Sequence, residues 1–239
     1  LTLTSFSVDS TFPELGETAP VNTSNNDSTP AYSFTSTEAG TIEYGPPCSS
    51  ATTSAVSGTN SVTFNTLPDR TYKNCTIRIT DSAGNISKSL IVNTFTIDTA
   101  SPMLTSIRPM DGSLWISIKP NITFSFSEAI DNATISTNKD NSTCSGSLQL
   151  SSDNFSSCVR MLKSPTLLEL KHSFSLTPAD NLSSETQYLL RASKELSDLA
   201  GNTMESDITT ANGFTTADIK SPVLIEISPI SDFTTNNIP

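Results

Sequence analysis

The chain has 239 residues, of which 35% are hydrophobic, and its 13 Lys and Arg against 24 Asp and Glu give a formal net charge of −11. This charge repels a phosphate backbone and an anionic lipid surface, so we expect neither nucleic acid nor membrane lipid as a partner. No apolar run approaches the roughly 20 residues of a membrane helix, and no charged segment followed by an apolar one stands at the start. We therefore expect an excised or mature segment without a membrane span.

Thr, Ser and Asn are unusually frequent in the chain. Ser and Asn compete with the hydrogen bonds of a helix, whereas Thr, Val and Ile suit a half-buried pleated surface. Hydrophobic and polar residues alternate over residues 76–80, 122–127 and 147–150, and turn-forming clusters separate such rows. Many short strands divided by turns are typical of an all-β sandwich.

A linker-like segment occurs twice. D-T-A-S-P-M-L begins at Asp98 and returns as D-I-K-S-P-V-L at Asp218. Because the residue before a proline is held extended, Ser-Pro predicts a short, stiff connection. We predict a first domain at residues 1–99, a second at residues 100–217, and a linker with the first strand of a further repeat at residues 218–239.

Each predicted domain also ends in the same way. A strand led by Tyr72 or Tyr188 precedes a D-x-A-G-N motif, at residues 81–85 and 198–202. The Gly and Asp of the motif close a tight hairpin, and an early Tyr is typical of the tyrosine corner of Greek-key sandwiches.

The second domain carries a series of motifs in a fixed order: S-I-R-P at 106–109, Asp111-Gly112, P-N-I-T-F-S-F-S-E-A-I-D at 120–131, Pro178, Leu182, Tyr188, D-L-A-G-N at 198–202 and F-T-T at 214–216. Through these residues it resembles the Ig-like domain type of S-layer proteins. Tyr72 and residues 81–85 give the first domain a looser similarity to bacterial Ig-like domains, and the cysteine-bearing insert after Asp131 departs from the simplest members. The resemblance implies tandem Ig-like Greek-key β-sandwiches in a bacterial cell-surface or secreted protein, but it implies no ligand.

Four cysteines without a C-x-x-C spacing favour disulfides and an oxidising compartment over a zinc site. Because the domains are expected to fold separately, we pair Cys48 with Cys75 and Cys144 with Cys158. The second bridge closes a loop of about 15 residues.

Three residues are candidates for contact with a partner. Asn154 and Phe155 lie inside the stapled loop, which either presents them to a partner or only steadies a long edge hairpin. Trp115 is expected to pack in the core or at a domain junction, and an exposed Trp115 would instead indicate a contact site.

We expect no catalytic activity. The only histidine, His172, falls in an alternating strand row, so a Ser-His-Asp triad is not supported. Glu128 and Asp131 could suggest a glycosidase pair, but a turn-bound acidic pair explains them more simply.

Calcium is the one cofactor that the sequence suggests, because carboxylates and amide oxygens near a domain junction suit a hard cation. Turn geometry alone also explains the D-x-A-G-N motif, so the two explanations stay open. The candidate ligands form two sets, Asp81, Asn85 and Asp98 with Asp111 at one junction, and Asp198, Asn202 and Asp218.

These observations predict a non-catalytic, extracellular stalk whose partners are neighbouring Ig-like repeats and which presents a binding region. One alternative is an adhesin module that binds a host or matrix protein. The other is an accessory module of a secreted hydrolase that binds or spaces glycans, for which a row of exposed aromatic residues would be expected.

Overall fold

The computed structural model describes residues 8–140, 143–169 and 172–223. Nearly all of its regular structure is β, which confirms the predicted fold class, and the strands fall into two groups along the chain. The first group comprises β1 (Leu15–Ala19), β2 (Ser24–Asn25), β3 (Ala31–Ser36), β4 (Gly40–Gly45), β5 (Ser54–Ala55), β6 (Gly58–Thr63), β7 (Arg70–Tyr72), β8 (Thr76–Thr80), β9 (Leu90–Ile91) and β10 (Phe95–Ile97). The second group comprises β11 (Leu104–Arg108), β12 (Ser113–Ile116), β13 (Ile122–Phe126), β14 (Leu148–Ser151), β15 (Thr166–Glu169), β16 (Ser173–Leu176), β17 (Gln187–Ala192), β18 (Ile208–Thr209) and β19 (Phe214–Thr216).

The first group builds two layers, which we call the first sandwich. One layer has the order β1-β3-β6. The other contains β5-β4-β8-β9 and β2-β10-β7, in which β7 and β8 are successive pieces of one strand and β9 and β10 are pieces of the next. β1 runs antiparallel to β3 in one layer, whereas β2 runs parallel to β10 in the other. The chain therefore changes layer between its first two strands.

The second group repeats this plan as the second sandwich. Its layers have the orders β11-β13-β16-β15 and β12-β19-β17-β14, with β18 paired to β17. β11 is antiparallel to β13 and β12 is parallel to β19, so the same change of layer recurs. Two Ig-like sandwiches thus follow each other along the chain.

Alternation of side chains gives each sandwich its own core. Ile122, Phe124 and Phe126 all point inward from β13, with the intervening residues only partly buried. The two hydrophobic clusters have no residue in common. Each contains a stacked Tyr-Phe pair, with ring centroids 5.1 Å apart for Tyr72 and Phe95.

Both predicted tyrosine corners are present, with opposite hydrogen-bond directions. The Tyr72 hydroxyl donates to the carbonyl of Pro68 at 2.8 Å. The Tyr188 hydroxyl instead accepts from the Ser183 N–H at 3.0 Å. In each case a buried hydroxyl satisfies a backbone group of the corner before the strand.

The two predicted cysteine pairs are disulfides, Cys48–Cys75 and Cys144–Cys158. The second closes a segment that contains β14, which pairs with β17 and whose Leu148 and Leu150 are fully buried. The stapled segment thus supplies a strand at the edge of its layer, as expected, and the apolar side chains of that strand belong to the core.

The described part of the chain ends in a segment without regular structure. Residues 218–223 carry no strand, and residues 224–239, with the predicted first strand of a further repeat, lie outside the described residues. Within the described residues, no helix has the length and apolar character needed to cross a bilayer.

Replacing both cysteines of the first sandwich (Cys48→Ala with Cys75→Ala) should lower its free energy of unfolding by about 3 to 4 kcal/mol, because the bridge joins residues 27 apart and restricts the unfolded chain. Urea titration followed by hydrogen exchange would resolve the two sandwiches. The matched pair Cys144→Ala with Cys158→Ala should leave the first sandwich unchanged. Equal stability of the first sandwich with and without its bridge would contradict the prediction.

Candidate functional site at the junction of the two sandwiches

The last hairpin of each sandwich runs its full length, so the turn of the hairpin lies at one end and the point where the chain leaves lies at the other. In the first sandwich the hairpin turns at residues 81–85, and Ile97 of β10 returns opposite Arg70 of β7. Asp81 and Asp98 are therefore separated by the length of the hairpin, about ten residues or about 30 Å. We call the end with the D-x-A-G-N turn the upper end, and the end where the chain leaves the lower end.

The turn of the second sandwich is organised by one buried carboxylate. Asp198, which is 3% exposed, accepts at Oδ1 from the N–H groups of Ala200, Gly201 and Asn202 at 2.7–2.9 Å. Its Oδ2 accepts from Asn202 Nδ2 at 2.8 Å. Gly201 has a φ of 96°, which a residue with a side chain rarely adopts. The motif is thus a self-contained turn that fixes the orientation of Asn202.

The same asparagine reaches the first sandwich. Asn202 Nδ2 donates to the carbonyl of Asp98 at 2.8 Å. The next residue, Thr99, donates from its N–H and its hydroxyl to the Asp69 carboxylate at 3.0–3.1 Å. The Asp98 N–H also donates to the Asn25 carbonyl of the first sandwich at 3.1 Å, so Asp98 is held by both sandwiches and Thr99 by the first. Asn26 of the first sandwich also approaches Gly201, with its Nδ2 3.7 Å from the position that a Cβ would take.

Three carboxylates meet at this junction. Asp98, Glu128 and Asp198 each place an oxygen within 4.8 Å of the others. Burial, the charges of Asp98 and Asp198 and a hydrogen bond to Asp98 together raise the pKa of Glu128 to about 7. A proton or a cation would relieve the repulsion between these groups.

The upper end of the first sandwich repeats the cluster. Asp9, Glu38 and Asp81 place oxygens within 4.8 Å of one another, and Asn85 Nδ2 donates to the carbonyl of Asp9 at 3.3 Å. Burial and the charges of Asp9 and Asp81 raise the pKa of Glu38. The hydrogen bond from the Asn85 side chain lowers the pKa of Asp81.

The predicted calcium sets are wrong in their grouping. Asp81 and Asn85 lie with Asp9, not with Asp98, because each turn meets the linker before its own sandwich. Asp198 and Asn202 accordingly lie with Asp98. The lower-end Asp218 caps a turn through the Lys220 N–H at 2.8 Å.

Asp111 is also absent from the cluster. Its Oδ1 accepts from the N–H groups of Asn212 and Gly213 at 2.8 and 2.6 Å, and the Asn212 bond lowers its pKa. It fixes the loop that leads into β19, which is a structural role.

Sequence reasoning missed Asp9, Glu38 and the role of Glu128, although two signals were present. The spacing D-x-x-x-P-x-L occurs three times, at Asp9, Asp98 and Asp218, and the first copy differs in its middle residues. The glutamates occur in related triplets, T-E-A at Glu38 and S-E-A at Glu128. Asp131, which was considered together with Glu128, instead caps the short helix Asn132–Thr134 through the Ala133 N–H.

The three candidate contact residues differ in how far they are exposed to solvent. Trp115 is 74% exposed, so the expected packing in the core or at a junction is wrong. Asn154 is exposed, whereas Phe155 is half-buried under the Arg191 guanidinium, which lies 4.0 Å from its ring centroid. His172 lies half-buried in the turn before β16.

Oxygen ligands of the junction cluster are those that Ca²⁺ prefers in proteins. Asp98, Glu128 and Asp198 could supply carboxylate oxygens to one ion, and Asp9, Glu38 and Asp81 could do so at the upper end of the first sandwich. Calcium binding stays a prediction.

Excess calcium should raise the melting temperature of the chain by several degrees relative to EDTA, since a ligand that binds only the folded state stabilises it. Glu128→Gln should reduce the shift for the second sandwich and Glu38→Gln that for the first. Equal melting temperatures in calcium and in EDTA would remove the calcium hypothesis.

The raised pKa of Glu128 also predicts a pH dependence. Because the folded pKa of about 7 exceeds the ordinary glutamate pKa of 4.5, the stabilising contribution of Glu128 is complete below pH 4.5 and is lost as the pH rises through 7. In EDTA, the second sandwich should therefore lose roughly 1 kcal/mol between pH 5 and pH 8 after allowance for solvent screening. Glu128→Gln should abolish this loss, as measured by urea titration at both pH values. The same loss of stability in Glu128→Gln as in the unmodified chain would show that Glu128 does not cause the pH dependence.

Comparison with known proteins agrees with this architecture. The family model of the bacterial Ig-like domain matches residues 98–216, and no curated protein matches the chain. The match begins at Asp98, the linker residue that the second sandwich holds. Domains of this family are typically non-catalytic. Residues 98–216 are therefore a bacterial Ig-like domain, which supports the chain as a bacterial Ig-like protein.

Proposed function

We propose that the chain is a non-catalytic stalk segment of a bacterial cell-surface or secreted protein. In this proposal, consecutive Ig-like sandwiches are joined by junctions that limit bending and hold a binding region away from its anchor. The observation that carries it is the shared linker. Asn202 of the second sandwich binds the carbonyl of Asp98, while Asp69 of the first sandwich binds Thr99.

This arrangement restricts the linker at two adjacent residues. A bend at Asp98 would break the Asn202 bond, and a bend at Thr99 would break the bonds to Asp69. Each such bond contributes about 1 kcal/mol, so the junction resists bending without being locked. The following Ser101 precedes Pro102 and is held away from helical backbone angles, which shortens the flexible part of the linker further.

An extracellular location is supported by the family and by the two disulfides, which persist in oxidising compartments. Attachment in an S-layer and an adhesive role are finer proposals within this one. Protease treatment of intact cells that make the protein, with mass spectrometry of the released peptides, tests the location. Release from intact cells is expected, and release only after lysis with reduced cysteines would exclude a surface stalk.

Asn202→Ala should raise the population of bent junctions roughly fivefold, because one hydrogen bond of about 1 kcal/mol between the sandwiches is lost. Small-angle X-ray scattering would detect this as a smaller radius of gyration and a broader distance distribution. Asn85→Ala is the matched control, since it removes the same turn contact from the first sandwich but leaves this junction intact. Identical scattering from the two variants would contradict the proposed role of the junction.

One observation favours an adhesin module as the second candidate. Met110, Leu114 and Trp115 are 61–74% exposed, and Trp115 has a φ of 59° in the irregular part of β12. A bulky residue in this conformation is uncommon. Exposed apolar side chains this close along the chain suit contact with a host or matrix protein. Loss of binding to immobilised matrix proteins in Trp115→Ala, with an unchanged melting temperature, would support it.

The exposed aromatic residues give less support to a glycan-binding module. In the described ranges, the strongly exposed aromatic side chains among the large hydrophobic residues are Phe12 and Trp115. They belong to different sandwiches, so they do not form the row that a glycan-binding surface would present.

A further inference from the structure

The linker aspartates share one local geometry in all three copies. Each aspartate accepts at Oδ1 from the backbone N–H two residues later. The pairs are Asp9 with Thr11 at 2.9 Å, Asp98 with Ala100 at 3.2 Å and Asp218 with Lys220 at 2.8 Å. Asp9 therefore begins a linker of the same kind as the one that joins the two sandwiches.

The path from the linker into each sandwich is also the same. The Glu14 N–H donates to the Thr37 hydroxyl at 2.9 Å, and the Thr37 N–H donates to the Glu14 carbonyl at 3.1 Å. In the second sandwich, the Met103 N–H donates to the Ser127 hydroxyl at 2.9 Å, and the Ser127 N–H donates to the Met103 carbonyl at 2.8 Å. The glutamate of each carboxylate cluster, Glu38 or Glu128, follows directly. The upper ends are thus equivalent residue by residue.

The two upper ends differ in what covers them. At Gly201 of the second sandwich, the Asn26 amide of the preceding sandwich lies 3.7 Å from the position of a Cβ. At the equivalent Gly84, which has a φ of 92°, nothing among the described residues lies within 4 Å of that position. Among the described residues, the first sandwich therefore has a complete linker turn and no neighbour over its turn glycine.

We infer that the upper end of the first sandwich, formed by Glu38, Asp81, Gly84 and Asn85 around Asp9, is a docking face for the lower end of another Ig-like sandwich that precedes Asp9 in the same chain. This inference rests on the proposed stalk function and extends it to a second junction. The chemistry expected of the partner is that of the lower end already seen. The partner should place an amide side chain near the turn glycine Gly84, as Asn26 lies near Gly201. It should also place a carboxylate that accepts a hydrogen bond from the residue after Asp9, as Asp69 accepts one from Thr99.

A partner in the same chain fits this face better than a separate copy. Asp9 already occupies the position that a linker aspartate takes, with its carbonyl bound by Asn85. The Asp218 of another molecule would have to displace it. A preceding sandwich needs no displacement, because its chain would lead through residues 1–8 into Asp9.

A chimera tests the inference with parts whose structures are known. Residues 8–97 are placed directly before residues 9–223, so that Ile97 of an added first sandwich precedes Asp9 as it natively precedes Asp98. Ser10 then stands where Thr99 stands, with a hydroxyl that can donate to Asp69 of the added unit. Spin labels at the exposed Ser61 of both copies report the new junction, and labels at the second-copy Ser61 and the exposed Lys119 report the native one.

The expected result is a distance distribution at the new junction as narrow as that at the native junction. Asn85→Ala in the second copy should widen only the new distribution, and Asn202→Ala only the native one. A broad new junction beside a narrow native one would overturn the inference and leave the stalk proposal standing. Broad distributions at both would overturn both. Dimerisation of the unmodified chain that Asn85→Ala abolishes would assign the face to a separate copy and overturn the inference as well.

Discussion

The junction depends on one amide group that serves two partners. Asn202 Nδ2 donates to the Asp198 carboxylate of its own turn and to the Asp98 carbonyl of the linker. The first bond fixes the side chain, because Asp198 is itself held by three backbone N–H groups. The second bond can then form without loss of much side-chain entropy. The D-x-A-G-N turn of the second sandwich therefore also positions the preceding sandwich.

The carboxylates around this amide oppose the arrangement. Bringing Asp98, Glu128 and Asp198 together at neutral pH is unfavourable unless a proton or a cation reduces their charge. The repulsion between these carboxylates contributes to the raised pKa of Glu128. The hydrogen bonds of the linker and the repulsion of the cluster thus act in opposite directions. The stiffness of the junction should consequently respond to pH and to divalent cations, which a purely apolar contact would not do.

The sequence was sufficient for the fold because its signals are local. Alternation in β13, the D-x-A-G-N turns and the two tyrosines each specify a strand, a hairpin or a corner without reference to the rest of the chain. The cysteine pairing followed from separate folding of the domains. Periodicity does not give the partner of a strand, because the pairing of β14 with β17 at the edge of the layer is a long-range contact.

The site was harder to predict because its residues come from distant parts of the chain. The ligand types and most of the aspartates were recognised, but their grouping requires knowing that the hairpin separates Asp81 from Asp98 by its full length. Glu38 and Glu128 carry no local signal beyond a short triplet. The sequence pattern also does not reveal that Trp115 is exposed and has a positive φ, because its row of apolar residues would equally suit a buried strand.

Pulsed electron spin resonance on the intact chain, with spin labels at Ser61 and Lys119, tests the central claim most directly. Both positions are exposed and lie in different sandwiches. If the linker is shared as described, one narrow distance distribution is expected at neutral pH. A broad distribution that spans bent and extended arrangements would show that the two sandwiches move independently, and it would contradict the account.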